Sequence, residues 1–118
     1  MKLNVEFISA FTEKAFQGNP AAVIVTESWL PETLMQAIAT ENNLSETAFV
    51  VKNTQGIYDI RWFSPITEID FCGHATLASA FVLFTKTPKL GEQTLSFHAN
   101  AVGIIHVNQR PNGFIEMD

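Results

Sequence analysis

Cysteine and basic charge are scarce in this chain, and each scarcity removes a class of function. The single cysteine, Cys72, excludes an internal disulfide and leaves no C-x-x-C spacing for zinc or dithiol chemistry, so a reducing cytoplasmic setting is expected. Seven Lys and Arg stand against twelve Asp and Glu, a formal charge of −5. Without a basic cluster there is no electrostatic footprint for nucleic acid or an anionic membrane, and neither is expected as a partner. Glu6 and Glu13 interrupt the apolar run an export signal would need. The uncharged stretch from Phe71 to Thr85 would reach about 22 Å as a helix, short of the ~20 apolar residues that cross a bilayer. Small molecules and other protein chains remain as candidate partners.

What is present is core-forming material. Of 118 residues, 47% are hydrophobic and 16% charged, with ten Phe against two Trp and one Tyr. That balance excludes disorder and fibrous repeats and predicts one compact domain over residues 1–118. Residues 3–11 read as a strand that ends at the turn formers Gln17-Gly18-Asn19-Pro20, and 21–26 as a β-branched strand pairing back onto it in a hairpin. Pro31 and Glu32 open an amphipathic helix over 32–39, with Leu34 and Ile38 one turn apart. Strands are expected at 46–51, 57–63, 66–71, 95–98, 103–107 and 114–117. Between them, 74–84 reads as a helix that is apolar or small all round and must be enclosed on nearly every side. The expected class is α+β: a strongly curved, barrel-like, mostly antiparallel sheet around a central apolar helix.

The chemistry concentrates where that helix begins. Gly73 precedes it, the first-turn N–H groups have no intrahelical acceptors, and the positive end of the dipole suits an anion. His74 can exchange a proton near neutral pH. The same residues also suit an ordinary tight turn with a capping histidine.

Three ordered motifs bear on that choice: Phe16-Gln17-Gly18-Asn19-Pro20-Ala21-Ala22-Val23, Asn43-Leu44-Ser45-Glu46-Thr47-Ala48-Phe49, and the run from Arg61 through Asp70-Phe71-Cys72-Gly73-His74-Ala75 to Thr76. Together they resemble the PhzF-like (phenazine biosynthesis-like) isomerases, relatives of the diaminopimelate epimerases. The resemblance implies two similar lobes with the active site in the cleft between them, of which this chain is similar to the N-terminal lobe. It implies Glu46 as the catalytic proton-transfer residue. Gly73 and His74, with Ala75, would hold the substrate, and Asp70 stands as a weaker candidate for substrate contact. It further implies isomerase or epimerase chemistry by acid–base proton transfer on a small carboxylate-bearing metabolite in a biosynthetic setting, with no cofactor and no metal.

Cys72 stands where related two-thiol epimerases carry a catalytic cysteine. Such enzymes need a second thiol on the opposite lobe, so Cys72 is expected to be a packed structural thiol. His98 and His106, without a carboxylate or thiol at fixed spacing, are a poor metal signature. Phe81, Phe84 and Phe97 read as ordinary core. Completion of the cleft is expected from a homodimer or from the missing C-terminal lobe. The competing reading is a non-catalytic fragment, or a ligand-binding or interaction module that keeps half of the site.

Overall fold

The computed structural model describes residues 5–8, 21–53, 55–86, 93–109 and 115–117. The Gly18-Asn19-Pro20 turn lies outside the described residues. The chain order is β1 (Val5–Ile8), β2 (Ala21–Thr26), α1 (Glu32–Asn42), β3 (Glu46–Lys52), β4 (Tyr58–Phe63), β5 (Glu68–Ile69), α2 (Gly73–Lys86), β6 (Gln93–Ala99), β7 (Gly103–Gln109) and β8 (Ile115–Met117). One mixed sheet runs β1-β2-β3-β4-β6-β7-β8, with the two-residue β5 paired to β4. Five of its ladders are antiparallel, including the expected β1–β2 hairpin. Two are parallel, β2–β3 and β4–β6, and these are the two that need a crossover. The first crossover is α1, and the second contains β5 and α2. The class is α+β as expected.

The crossovers bury opposite faces of the sheet. On one face, Val23 of β2, Ala48 and Val50 of β3, Ile60 and Trp62 of β4, and Phe97 and Val107 pack with Ala75, Ala78, Val82 and Phe84 of α2. On the other, Ile24, Phe49 and Phe63 pack with Met35 and Ala39 of α1. The alternation is the period-two pleat, each strand sending successive side chains to opposite helices. Being covered on both faces, β2 and β3 read as near-continuous apolar runs rather than as alternating ones.

Two expectations change in detail. In α1 the fully buried residues are Met35 and Ala39, whereas Leu34 and Ile38 are only half-buried. The helix also extends to Asn42, where Asn43 adopts a left-handed φ of 54° and its N–H closes on the Ala39 carbonyl at 3.1 Å. In α2, Phe84 is core but Phe81 is 41% exposed and Leu77 is half-buried, so the helix is not enclosed all round. Its all-apolar circumference states what the helix would bury, and this chain covers only part of it.

Small residues let α2 approach the sheet. Ala75, Ala78, Ser79 and Ala80 are fully buried, and the Ser79 hydroxyl donates back to the Ala75 carbonyl at 2.8 Å. One polar contact pins the helix in register. The buried Trp62 indole N–H donates to Thr76 Oγ1 at 3.0 Å, and that hydroxyl donates in turn to the Cys72 carbonyl at 2.8 Å. Replacing Thr76 by Val keeps the shape but strands the indole N–H in the core. Thr76→Val is expected to cost about 1–3 kcal/mol. In urea unfolding it should lower the midpoint with the slope unchanged, and an unmoved midpoint would show the bond to be dispensable.

Candidate functional site

Glu46 is the first residue of β3, set there by the turn after α1 and paired in parallel register with Ala21. It has the same parity as Ala48 and Val50, which face α2, so the pleat directs Glu46 to the α2 side. The neighbouring Thr47 is fully buried, with its hydroxyl 3.5 Å from Asn42 Nδ2. Of the Glu46 carboxylate, Oε1 is buried and has no hydrogen-bond partner.

The segment before α2 arrives from β4 through a tight turn. There Ser64 Oγ accepts the Thr67 N–H at 3.0 Å, and the Ser64 N–H donates to the Thr67 carbonyl at 2.8 Å. Arg61 braces this turn from the α1 side of the sheet. Its guanidinium donates to both oxygens of Glu68, at 2.8 and 2.7 Å, and to Glu32 at 3.1 Å, which holds its pKa above the ordinary arginine value. It also lies over the rings of Trp29 and Phe63, at 5.7 and 5.5 Å. Gln36 Nε2 donates to the Ser64 carbonyl at 3.0 Å and the Thr40 hydroxyl to the Pro65 carbonyl at 2.6 Å, so α1 holds the other side of the turn.

At the start of α2, Cys72 is half-buried and engaged at both ends. Its carbonyl accepts the Thr76 N–H at 3.0 Å, and its sulfur accepts the Ala75 N–H at 3.4 Å. Burial pushes the thiol pKa up. The Ala75 and His74 N–H groups pull it down, and the neighbouring Glu46 carboxyl pushes it up again through charge and hydrogen bonding. Cys72 therefore joins the two motifs in space, with Glu46 on one side of its thiol and the first turn of α2 on the other.

His74 follows, with both ring nitrogens buried. The space beside Gly73, expected to admit a ligand, is lined by the protein itself. A Cβ there would stand 3.1 Å from Met117 Cε and 3.6 Å from the Phe71 ring, which packs edge-on against Trp62 at 5.5 Å. The Ala75 N–H, expected to face an anion, is taken by the Cys72 sulfur instead. Met117, in β8, escapes sequence reading because no local pattern says that the far edge of the sheet returns to this turn.

The other candidates fall elsewhere. Asp70 is exposed and lines a cavity of about 220 Å³ with Arg61, Glu68, Ala99 and Asn100. His98 Nδ1 stands 3.3 Å from Asp59 Oδ1, and His106 Nδ1 stands 3.0 Å from Ser96 Oγ. No group of three or more metal-ligating side chains occurs among the described residues. None of their helices is long and apolar enough to cross a membrane.

Comparison with known proteins agrees with the motifs. The family model described as phenazine biosynthesis-like protein matches residues 8–117. An uncharacterized isomerase of Halalkalibacterium halodurans is 44% identical over all of this chain, which covers 43% of that protein. The crystal structure of a PhzF-family phenazine biosynthesis protein from Enterococcus faecalis superposes with a TM-score of 0.81 at 54% identity, over 93% of this chain and 41% of its own. The structure of a predicted epimerase from Pseudomonas aeruginosa superposes with a TM-score of 0.82 at 26% identity, over 99% of this chain and 43% of its own. The chain thus spans less than half the length of these relatives. With a family model matched over nearly its whole length and the epimerase-like fold shared with its solved neighbours, the chain belongs to the PhzF-like, phenazine biosynthesis-like family.

Proposed function

We propose that this chain forms one wall of an isomerase or epimerase cleft, in which Glu46 moves a proton on a small carboxylate-bearing metabolite. The observation that carries the reading is the Glu46 carboxylate, whose Oε1 is buried without a hydrogen-bond partner beside the first turn of α2. A buried acceptor left unpaired costs on the order of 1–3 kcal/mol, and such groups are kept where a function needs them. Here the missing partner is the acidic C–H of a substrate. Proton removal next to a carboxyl group leaves negative charge on the substrate, and the positive end of the α2 dipole is placed to oppose it.

In this reading Gly73, His74 and Ala75 form the binding turn, and the Cys72 sulfur already holds part of its N–H capacity. A substrate carboxylate would therefore meet the turn at Gly73 and at the His74 imidazole rather than at Ala75. Asp70 would contact substrate only if the ligand reached the Arg61 side of the turn. The chemistry needs side-chain proton transfer and no cofactor.

The names of the relatives, isomerase and predicted epimerase, support the reaction class. Their length supports a second wall, since this chain covers less than half of them. The opposing proton partner and the exclusion of water would come from further polypeptide or from a second copy of the chain. The open face of α2 at Leu77 and Phe81 is apolar surface that such an assembly would cover.

Two measurements test the reading. With the full polypeptide in heavy water and a panel of small carboxylic acids, NMR should show exchange of the hydrogen next to the carboxyl group. Glu46→Gln should slow it by ~10²–10⁴, and undiminished exchange in that variant would remove Glu46 from the chemistry. In light scattering the 118-residue chain should run above 13.1 kDa, and a monomer at high concentration would exclude the dimeric completion.

A further inference from the structure

We propose that Cys72 is a positioning residue for Glu46: its sulfur accepts the Ala75 N–H while its S–H donates to the Glu46 carboxylate, which fixes the direction in which the unpartnered Oε1 points. The inference rests on the reading of Glu46 as the base and adds the residue that aims it.

The geometry gives Cys72 little freedom. Its backbone is tied by the Thr76 N–H at 3.0 Å and the Thr76 hydroxyl at 2.8 Å, and that hydroxyl is itself held by the buried Trp62 indole at 3.0 Å. The sulfur is held by the Ala75 N–H at 3.4 Å. With backbone and acceptor both fixed, the remaining freedom of the side chain is the direction of its S–H, and the Glu46 carboxyl lies against it. Glu46 has no comparable anchor, because Oε1 lacks any partner. A donor on one side of the carboxylate is then what holds a long, rotatable side chain in a single orientation.

Electrostatics assign the thiol the donor role rather than the nucleophile role. Two helix N–H groups favour a thiolate, whereas burial and the Glu46 charge oppose it, and the opposing side prevails. The sulfur thus keeps its proton while Glu46 is ionised. A thiolate beside a carboxylate would be two anions in a partly buried site, with neither able to donate to the other.

The test reads the pair without any substrate. On the full chain, alkylation of Cys72 by iodoacetamide is followed by peptide mass spectrometry across pH, in the wild type and in Glu46→Gln. Removing the carboxylate charge lowers the thiol pKa, so the Glu46→Gln profile should shift to lower pH and the rate near pH 8 should rise about three- to tenfold. Superimposable profiles would overturn the proposal. Should Glu46→Gln fail to fold, Glu46→Asp keeps the charge but shortens the reach. The S–H stretching band should then move to higher frequency as the hydrogen bond weakens, and an unmoved band overturns the proposal equally.

Hydrogen exchange on substrate separates the two readings. Cys72→Ser keeps a donor and should retain most turnover, whereas Cys72→Ala should lose about tenfold or more and shift the pH profile. Equal turnover in the two variants counts against positioning. Loss of exchange in Glu46→Gln with an unmoved Cys72 profile leaves Glu46 as the base and removes Cys72. A moved profile with full exchange keeps the pair and removes the base.

Discussion

The hydrogen bond from the Trp62 indole to Thr76 is the contact on which the site depends. It is a polar link inside an otherwise apolar interface, so it sets the register in which α2 meets β4, which dispersion between alanines and branched side chains leaves free. Because Thr76 passes the bond on to the Cys72 carbonyl, a contact made in the core decides where the residue preceding the helix sits. Sliding the helix by one residue would carry Thr76 out of reach of the indole and Cys72 away from Glu46.

From that anchor, the two faces of the sheet divide the work. The α2 face carries Glu46 and the turn at Gly73, whereas the α1 face carries the brace built on Arg61, Glu68 and Glu32. The brace is partly exposed, so its ion pairs contribute modestly, on the order of 0–1 kcal/mol each. Its larger effect is geometric. It ties α1, β4 and β5 together just before the chain crosses toward α2, and the bidentate arginine contact is directional where a lysine contact would not be. Substrate chemistry on one face is thus supported by a rigid scaffold on the other.

The same arrangement accounts for an apolar helix that is only partly covered. A side chain such as Phe81 left exposed beside the site costs about 1.5–3 kcal/mol relative to burial. A two-walled cleft removes that cost, because the apolar rim of one wall is buried by the other while the polar groups at the helix start remain inside.

Sequence alone determined the α+β class, the order of nearly all elements and the motifs that place the chain in its family. Period-two and apolar runs, a proline at a helix start and an uncharged helix are local signals, and local signals survive in one dimension. It also singled out Glu46, Gly73 and His74, because their motifs lie within a few residues of each other along the chain. Only the tertiary structure decided which residues meet. The parity of β3 turns Glu46 toward α2, Met117 returns from the last strand to fill the space beside Gly73, and Cys72, expected to be a packed thiol, stands between the carboxylate and the helix. Phe81, expected in the core, lies open for the complementary reason: hydrophobicity is a property of the residue, but burial depends on how much polypeptide is present to cover it.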